Sequence, residues 1–94
     1  MADTLRLDVW LWRARFFRTR TLAADHVRGH GVRLSHNGQT RRIDKPATAI
    51  AQGDVVTLAR GGHITSLEIL DLGTRRGPAA EAQALYRQLE GGSE

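Results

Sequence analysis

The chain has 94 residues and no cysteine, so one domain with a modest core is expected, and disulfides and thiolate metal sites are excluded. It has no run of about 18 apolar residues that could span a membrane as a helix. Met1 to Leu11 is broken by Asp3, Arg6 and Asp8 and lacks the apolar stretch of a signal peptide, so the expected location is cytoplasmic. The net charge is +4, but residues 1–45 carry ten basic groups against four acids and residues 46–94 carry four against six. A basic half joined to a mildly acidic half indicates one polyanion-binding face. Thirteen of the fourteen basic residues are arginine, whose planar fork binds phosphate at two points and stacks on bases.

In chain order, Leu7, Trp10, Leu11 and Ala14 recur at helical spacing, with Phe17 continuing the stripe and Asp8 as a candidate cap. Arg18-Thr19-Arg20 reads as a corner. Thr19 is the expected N-cap of a second helix over Arg20 to Arg28, which Gly29 and Gly31 end. Val32 and Leu34 alternate with Arg33 and Ser35 as in a strand, and Asn37-Gly38 is a tight-turn signal. Lys45-Pro46 marks a loop and Gly53-Asp54 a turn. Val55 to Arg60 is strand-like, Gly61-Gly62 turns it back, and Ile64 to Leu72 supplies the return strand. After a basic turn over Gly73 to Gly77, Pro78 suits a first helical turn. Ala79 to Leu89, with Ala82, Leu85, Tyr86 and Leu89 on one side, predicts a final helix, and Gly91 and Gly92 release the tail.

The expected fold is therefore α+β. Two N-terminal helices pack on a small antiparallel-rich sheet, and a C-terminal helix follows. One domain fills 1–94, with a core over about 6–72 and the last helix over about 78–90.

Arg13, Arg15, Arg18 and Arg20 fall within eight residues, interleaved with Trp12, Phe16 and Phe17. With Leu7, Trp10, Leu11 and Ala14 on the buried stripe, Arg13, Arg15 and Trp12 fall mostly off it, where Trp12 could stack on an unpaired base and the guanidiniums bind phosphate. The competing reading places Trp12 and Phe16 in a second hydrophobic contact, within the domain or with the C-terminal helix. The Thr19 and Thr21 hydroxyls and Arg20 stand where the second helix's amides begin, a position that favours anions. His26, His30, His36 and His63 fit no metal-ligand spacing, and no nucleophile–base–acid set stands out. No catalytic residue, metal, cofactor, membrane partner or small-molecule substrate is expected. Arg60 and Arg87, in the acidic half, are expected to be dispensable for binding.

Arg6-Leu7-Asp8, Trp10-Leu11-Trp12, Arg15-Phe16-Phe17, Thr19-Arg20-Thr21 and Ala23 resemble the opening signature of the S-four type RNA-binding domain, also called the alpha-L RNA-binding motif. Gly31-Val32, Asn37-Gly38, Lys45-Pro46 and Gly53-Asp54-Val55 continue it in order. The paired tryptophans and phenylalanines, with Arg75-Arg76-Gly77-Pro78, Glu81-Ala82 and Leu85-Tyr86, resemble more narrowly the stand-alone heat-shock protein 15 family. The resemblance implies a non-catalytic binder of structured ribosomal RNA on the large ribosomal subunit. It also implies a part in rescue or recycling of stalled subunits after heat stress, with nascent-chain transfer RNA as a further partner. Its RNA face implies Arg6, Arg13, Arg15, Arg18, Thr19, Arg20 and Thr21, with Lys45 from the loop. Trp12 joins them from the stacking argument. Two departures from the family pattern are a Val32–Asn37 link about two residues longer and a chain that stops at Glu94, short of the basic extension that some members carry.

The rival readings are a DNA-binding helix-turn-helix, an enzyme accessory domain and a protein-interaction module docking through its aromatics. The basic residues cluster on the first helix and corner, not along the second helix. The length leaves no room for a catalytic domain.

Overall fold

The computed structural model describes residues 3–89. Strand β1 (Leu5–Arg6) runs into helix α1 (Leu7–Arg13), and after a corner comes helix α2 (Arg20–His30). Strands β2 (Val32–His36), β3 (Gln39–Ile43), β4 (Ala49–Ile50), β5 (Val55–Arg60) and β6 (His63–Ile69) follow, then helix α3 (Ala79–Gln83) and strand β7 (Tyr86–Leu89). The main sheet has the order β3-β2-β5-β6-β7 with every pairing antiparallel, and β1 pairs with β4 in a separate ribbon. The fold is α+β as expected.

The hairpins follow from their turn residues. Asn37 and Gly38 take φ of 51° and 81°, and Gly61 and Gly62 take 54° and 84°, the left-handed pairs that match the twist of two-residue hairpins. They set His36 opposite Gln39 and Arg60 opposite His63. Alternation then sends Val32, Leu34, Val56, Leu58, Leu67 and Ile69 to the buried face, where they meet Leu7, Trp10 and Leu11 of α1 and Ala23 and Val27 of α2. The turn before β5 is held by Asp54, which is buried. Its Oδ2 accepts from the Ala51 amide at 3.0 Å, and its Oδ1 contacts His36 Nδ1 at 2.5 Å.

Three expectations change. First, α1 stops at Arg13 instead of running on to Phe17. Arg15 takes φ 67°, its amide donates to the Trp12 carbonyl (3.1 Å), and the Phe16 amide donates to the Leu11 carbonyl (3.0 Å). This is the left-handed helix stop usually made by glycine. Here an arginine makes it, against a conformational cost of roughly 1–2 kcal/mol. Second, Asp8 is no cap. Asp8 and Val9 are buried, and the first amides of α1 are met from the loop before β4: the Leu7 amide donates to the Thr48 carbonyl (2.9 Å) and the Asp8 amide to the Pro46 carbonyl (3.1 Å).

Third, the final helix is five residues long. Leu85 turns inward against Gly73, where a Cβ would meet its methyl carbons at 3.1–3.2 Å, and its carbonyl accepts from the Leu70 and Asp71 amides. Tyr86–Leu89 then pairs with the otherwise open edge of β6. An edge strand's unpaired amides and carbonyls outweigh the helix propensity of an alanine-rich run. The predicted Gly91-Gly92 release and the end of the predicted helix at 90 lie outside the described residues.

Candidate nucleic-acid interface

The site is built around α1, whose two ends treat arginine differently. At the N-terminal end, Arg6 Nε and NH2 donate to the two oxygens of Asp8 at 3.0 and 2.9 Å. These hydrogen bonds, and then the attraction of the carboxylate, push the Arg6 pKa up. The same pair cancels the Arg6 charge locally. Lys45 lies in the loop that caps this end, exposed, its carbonyl accepting from the Thr48 amide and hydroxyl.

At the C-terminal end the partners are carbonyls. Trp10 Nε1 donates to the Asp71 carbonyl (3.0 Å), and Arg13 NH1 to the carbonyls of Leu72 (3.3 Å) and Gly73 (2.8 Å). Arg15 Nε donates to the Gly77 carbonyl at 2.6 Å, and Arg76 Nε donates back to the Trp12 carbonyl at 3.1 Å. The segment 71–77 is thereby stitched along the end of α1. A carbonyl fixes a guanidinium but leaves its net charge intact, so Arg13, Arg15 and Arg76 are positioned cations with no carboxylate within 4.0 Å among the described residues. Arg13 Nε is buried without a partner among those residues, which marks its stem as part of the packing.

Arg18 and Arg20 continue the cluster. Both are exposed, and neither side chain makes a hydrogen bond or ion pair among the described residues. Thr19 caps α2 as expected, its Oγ1 accepting from the Leu22 amide at 3.0 Å, and Thr21 is exposed beside it. Residues 13–20 thus hold four arginines and no acid on one short connection.

The aromatics divide. Trp12 is half-buried, between the exposed stacking position and the packed position that the two sequence readings give it. Phe16 and Phe17 pack against the core. Phe16 tilts on Tyr86 at 4.8 Å between ring centroids, a contact within the domain that the competing reading allows, made by strand β7 and not by the C-terminal helix. Phe17 lies 5.1 Å from the His26 ring, and His26 stacks on His30 at 4.6 Å. Burial, then His30 and Arg60, lowers the His26 pKa. Arg60 sits over both phenylalanine rings, 5.7 Å from Phe16 and 5.4 Å from Phe17. It therefore borders the corner and is no neutral control. Arg87 is paired with Glu68.

The structure gathers Arg13, Arg15, Arg18, Thr19, Arg20 and Thr21 at one end of α1, and Arg6 and Lys45 at the other, about 10 Å along seven residues of helix. Sequence reasoning missed Arg76 and Arg60. The signal for Arg76 was available in Arg75-Arg76-Gly77: Arg75 has Glu81 six residues on and pairs with it through two hydrogen bonds, which leaves Arg76 as the cation without an acid. Arg60 carries no such signal, since the two phenylalanines it covers are more than 40 residues away in sequence. Among the described residues, no group of three His, Cys, Asp or Glu could hold a metal ion.

No family model matches the chain. A solved structure of Vibrio cholerae heat shock protein 15, described as trimeric, matches with a TM-score of 0.78 and 39% identity, covering 94% of this chain and 84% of that one. The chain belongs to the heat shock protein 15 family. Its helical corner and sheet are those of the S-four domain type that this family carries. The Aeromonas salmonicida heat shock protein 15 homologue is 37% identical over 86 residues, which are 92% of this chain and 61% of that protein. Heat shock protein 15 of Escherichia coli K12 is 36% identical over 87 residues, 93% of this chain and 62% of that protein. The chain thus spans about three fifths of the length of these curated relatives, which are named as heat shock proteins and not as enzymes.

Proposed function

We propose that the chain is a non-catalytic RNA-binding protein of the cytoplasm that binds structured ribosomal RNA on the large ribosomal subunit. Its task on this reading is rescue or recycling of stalled subunits after heat stress, with nascent-chain transfer RNA as a further partner. One observation carries it: the guanidiniums of Arg13, Arg15, Arg18 and Arg20 share a short connection that contains no acid, and two of them are fixed by carbonyls that leave their charge free for phosphate. Thr19 and Thr21, the half-buried Trp12, and Arg6 and Lys45 at the far end of α1 extend the same surface in supporting roles. The DNA-binding alternative draws less support, because on α2 Arg28 is tied to Asp25 at 3.1 Å and Arg20 belongs to the corner.

Co-sedimentation with purified large ribosomal subunits tests the reading. The wild-type protein should pellet with the subunits at moderate salt and be released by nuclease digestion of the RNA. The variant Arg18→Ala/Arg20→Ala should stay in the supernatant while keeping its melting temperature. Tighter binding to duplex DNA than to structured RNA at equal salt would overturn it.

A further inference from the structure

The corner does not account for all of the N-terminal charge. Arg33 of β2 and Arg42 of β3 stand directly opposite each other in the antiparallel register. Side chains so placed have Cβ atoms about 4.5–5.5 Å apart, and like charges there repel. No carboxylate among the described residues pairs with Arg33. Arg42 reaches Asp44 at 3.9 Å with both side chains about 60% exposed, a contact that offsets little in water.

The chain holds Arg42 in this position. Its NH2 donates to the His30 carbonyl at 3.4 Å, and its guanidinium lies over Gly31, where a Cβ would sit 2.8 Å away. Gly31 has φ 75°, a conformation that suits glycine, so the last residue before β2 leaves room for a cation beside a second cation. Arg33 and Arg42 border a hollow of about 210 Å³ whose apolar lining includes Leu58, Ala59 and Ile64, with Ile64 77% exposed.

We propose that this hollow is a second RNA contact that takes one nucleotide, its phosphate between Arg33 and Arg42 and its sugar or base against Ile64 and Ala59. The inference rests on the RNA-binding reading above. An anion between the two guanidiniums removes their repulsion, and the apolar lining suits the flat, weakly polar part of a nucleotide better than a carboxylate side chain. The hollow lies at the C-terminal end of α2 and the corner at its N-terminal end, about 15 Å apart along eleven residues, so one folded RNA can reach both.

The test compares two double variants for binding to structured ribosomal RNA and for melting temperature. Arg33→Gln/Arg42→Gln should weaken binding about tenfold and make the log-affinity against log-salt slope shallower by about 1.4–1.8. Its melting temperature should hold or rise, because a repulsion has gone. Should loss of the His30 contact lower it, the single variant Arg33→Gln decides, with an unchanged melting temperature and a slope shallower by about 0.7–0.9. Wild-type affinity and slope in both arginine variants, with loss in Arg18→Ala/Arg20→Ala, would overturn this inference and leave the corner standing. Loss in the Arg33/Arg42 variants alone would keep the inference and remove the corner. Poly-glutamate binding that disappears in Arg33→Gln/Arg42→Gln while RNA affinity is retained would assign the hollow to an acidic protein segment and overturn it.

Discussion

The two ends of α1 carry the same residue type to opposite effect. At the N-terminal end Arg6 meets the buried carboxylate of Asp8, so a cation and an anion neutralise each other and hold β1 to the helix. At the C-terminal end Arg13 and Arg15 meet the carbonyls of Gly73 and Gly77, which hold the segment 71–77 in place and cancel no charge. A carboxylate partner uses an arginine up, whereas a carbonyl partner aims it. Counting basic residues along a sequence cannot separate the two cases, and the difference decides which end attracts a polyanion more strongly.

The largest effect should come from what both ends depend on. Leu11 is fully buried on α1, and its carbonyl also receives the Phe16 amide that closes the helix. Leu11→Ala should cost about 2–5 kcal/mol in chemical denaturation, enough to unfold a domain of this size or nearly so. A loss below about 1 kcal/mol would mean that α1 is not the shared support of the two ends.

Next comes the paired end. Asp8→Asn removes the anion, leaves a buried polar group with fewer partners, and should cost about 1–3 kcal/mol of stability. It also frees the Arg6 charge. RNA affinity measured where the variant is still folded should therefore hold or increase. A weakened affinity in folded protein would show that Asp8 aims Arg6 at RNA, and the contrast between the two ends would fail.

The smallest effect belongs to His26, beside the corner. Its folded pKa lies below the ordinary value of about 6.5, chiefly because it is partly buried against Phe17 and also because of His30 and Arg60. Between the two pKa values the unfolded chain holds more protons than the folded one. Stability is thus fully present above about pH 6.5 and is lost as pH falls from there toward the folded pKa. Melting temperature followed from pH 8 to pH 5 should decline below about 6.5, and His26→Leu should flatten that decline. An identical decline in the variant would place the sensitive group elsewhere.

The sequence made the local features legible. Asn37-Gly38 and Gly61-Gly62 state their hairpins because few residues accept their φ values, Thr19 states its cap, and the spacing of Leu7, Trp10, Leu11 and Ala14 states the buried face of α1. The long-range features were hidden. Arg15 in a left-handed helix stop contradicts its own propensity and is held there by Gly77, 62 residues away. Tyr86–Leu89 is a strand because β6 has an edge to fill, although its apolar spacing also fits a helix. Of the site, the cluster at 13–20 could be read from residue types, but the carbonyl partners of Arg13 and Arg15, the partial burial of Trp12, and the arrival of Arg76 and Arg60 depend on contacts between distant parts of the chain.

The central claim is that the cations without a carboxylate partner at the corner are the ones that bind RNA. Arg18 and Arg20 test it most cleanly, because replacing Arg13 or Arg15 also breaks the stitching to segment 71–77. The decisive measurement is the salt dependence of RNA affinity in wild type, in Arg18→Ala/Arg20→Ala, and in Arg87→Ala, which removes an arginine already paired with Glu68. The account predicts a wild-type slope of log affinity against log salt of roughly −3 to −5, made shallower by about 1.4–1.8 in the corner variant and unchanged in Arg87→Ala. The corner variant should also lose more than about 1.5 kcal/mol of binding while stability changes by less than about 0.5 kcal/mol. A folded corner variant that keeps the wild-type slope and affinity would contradict the account.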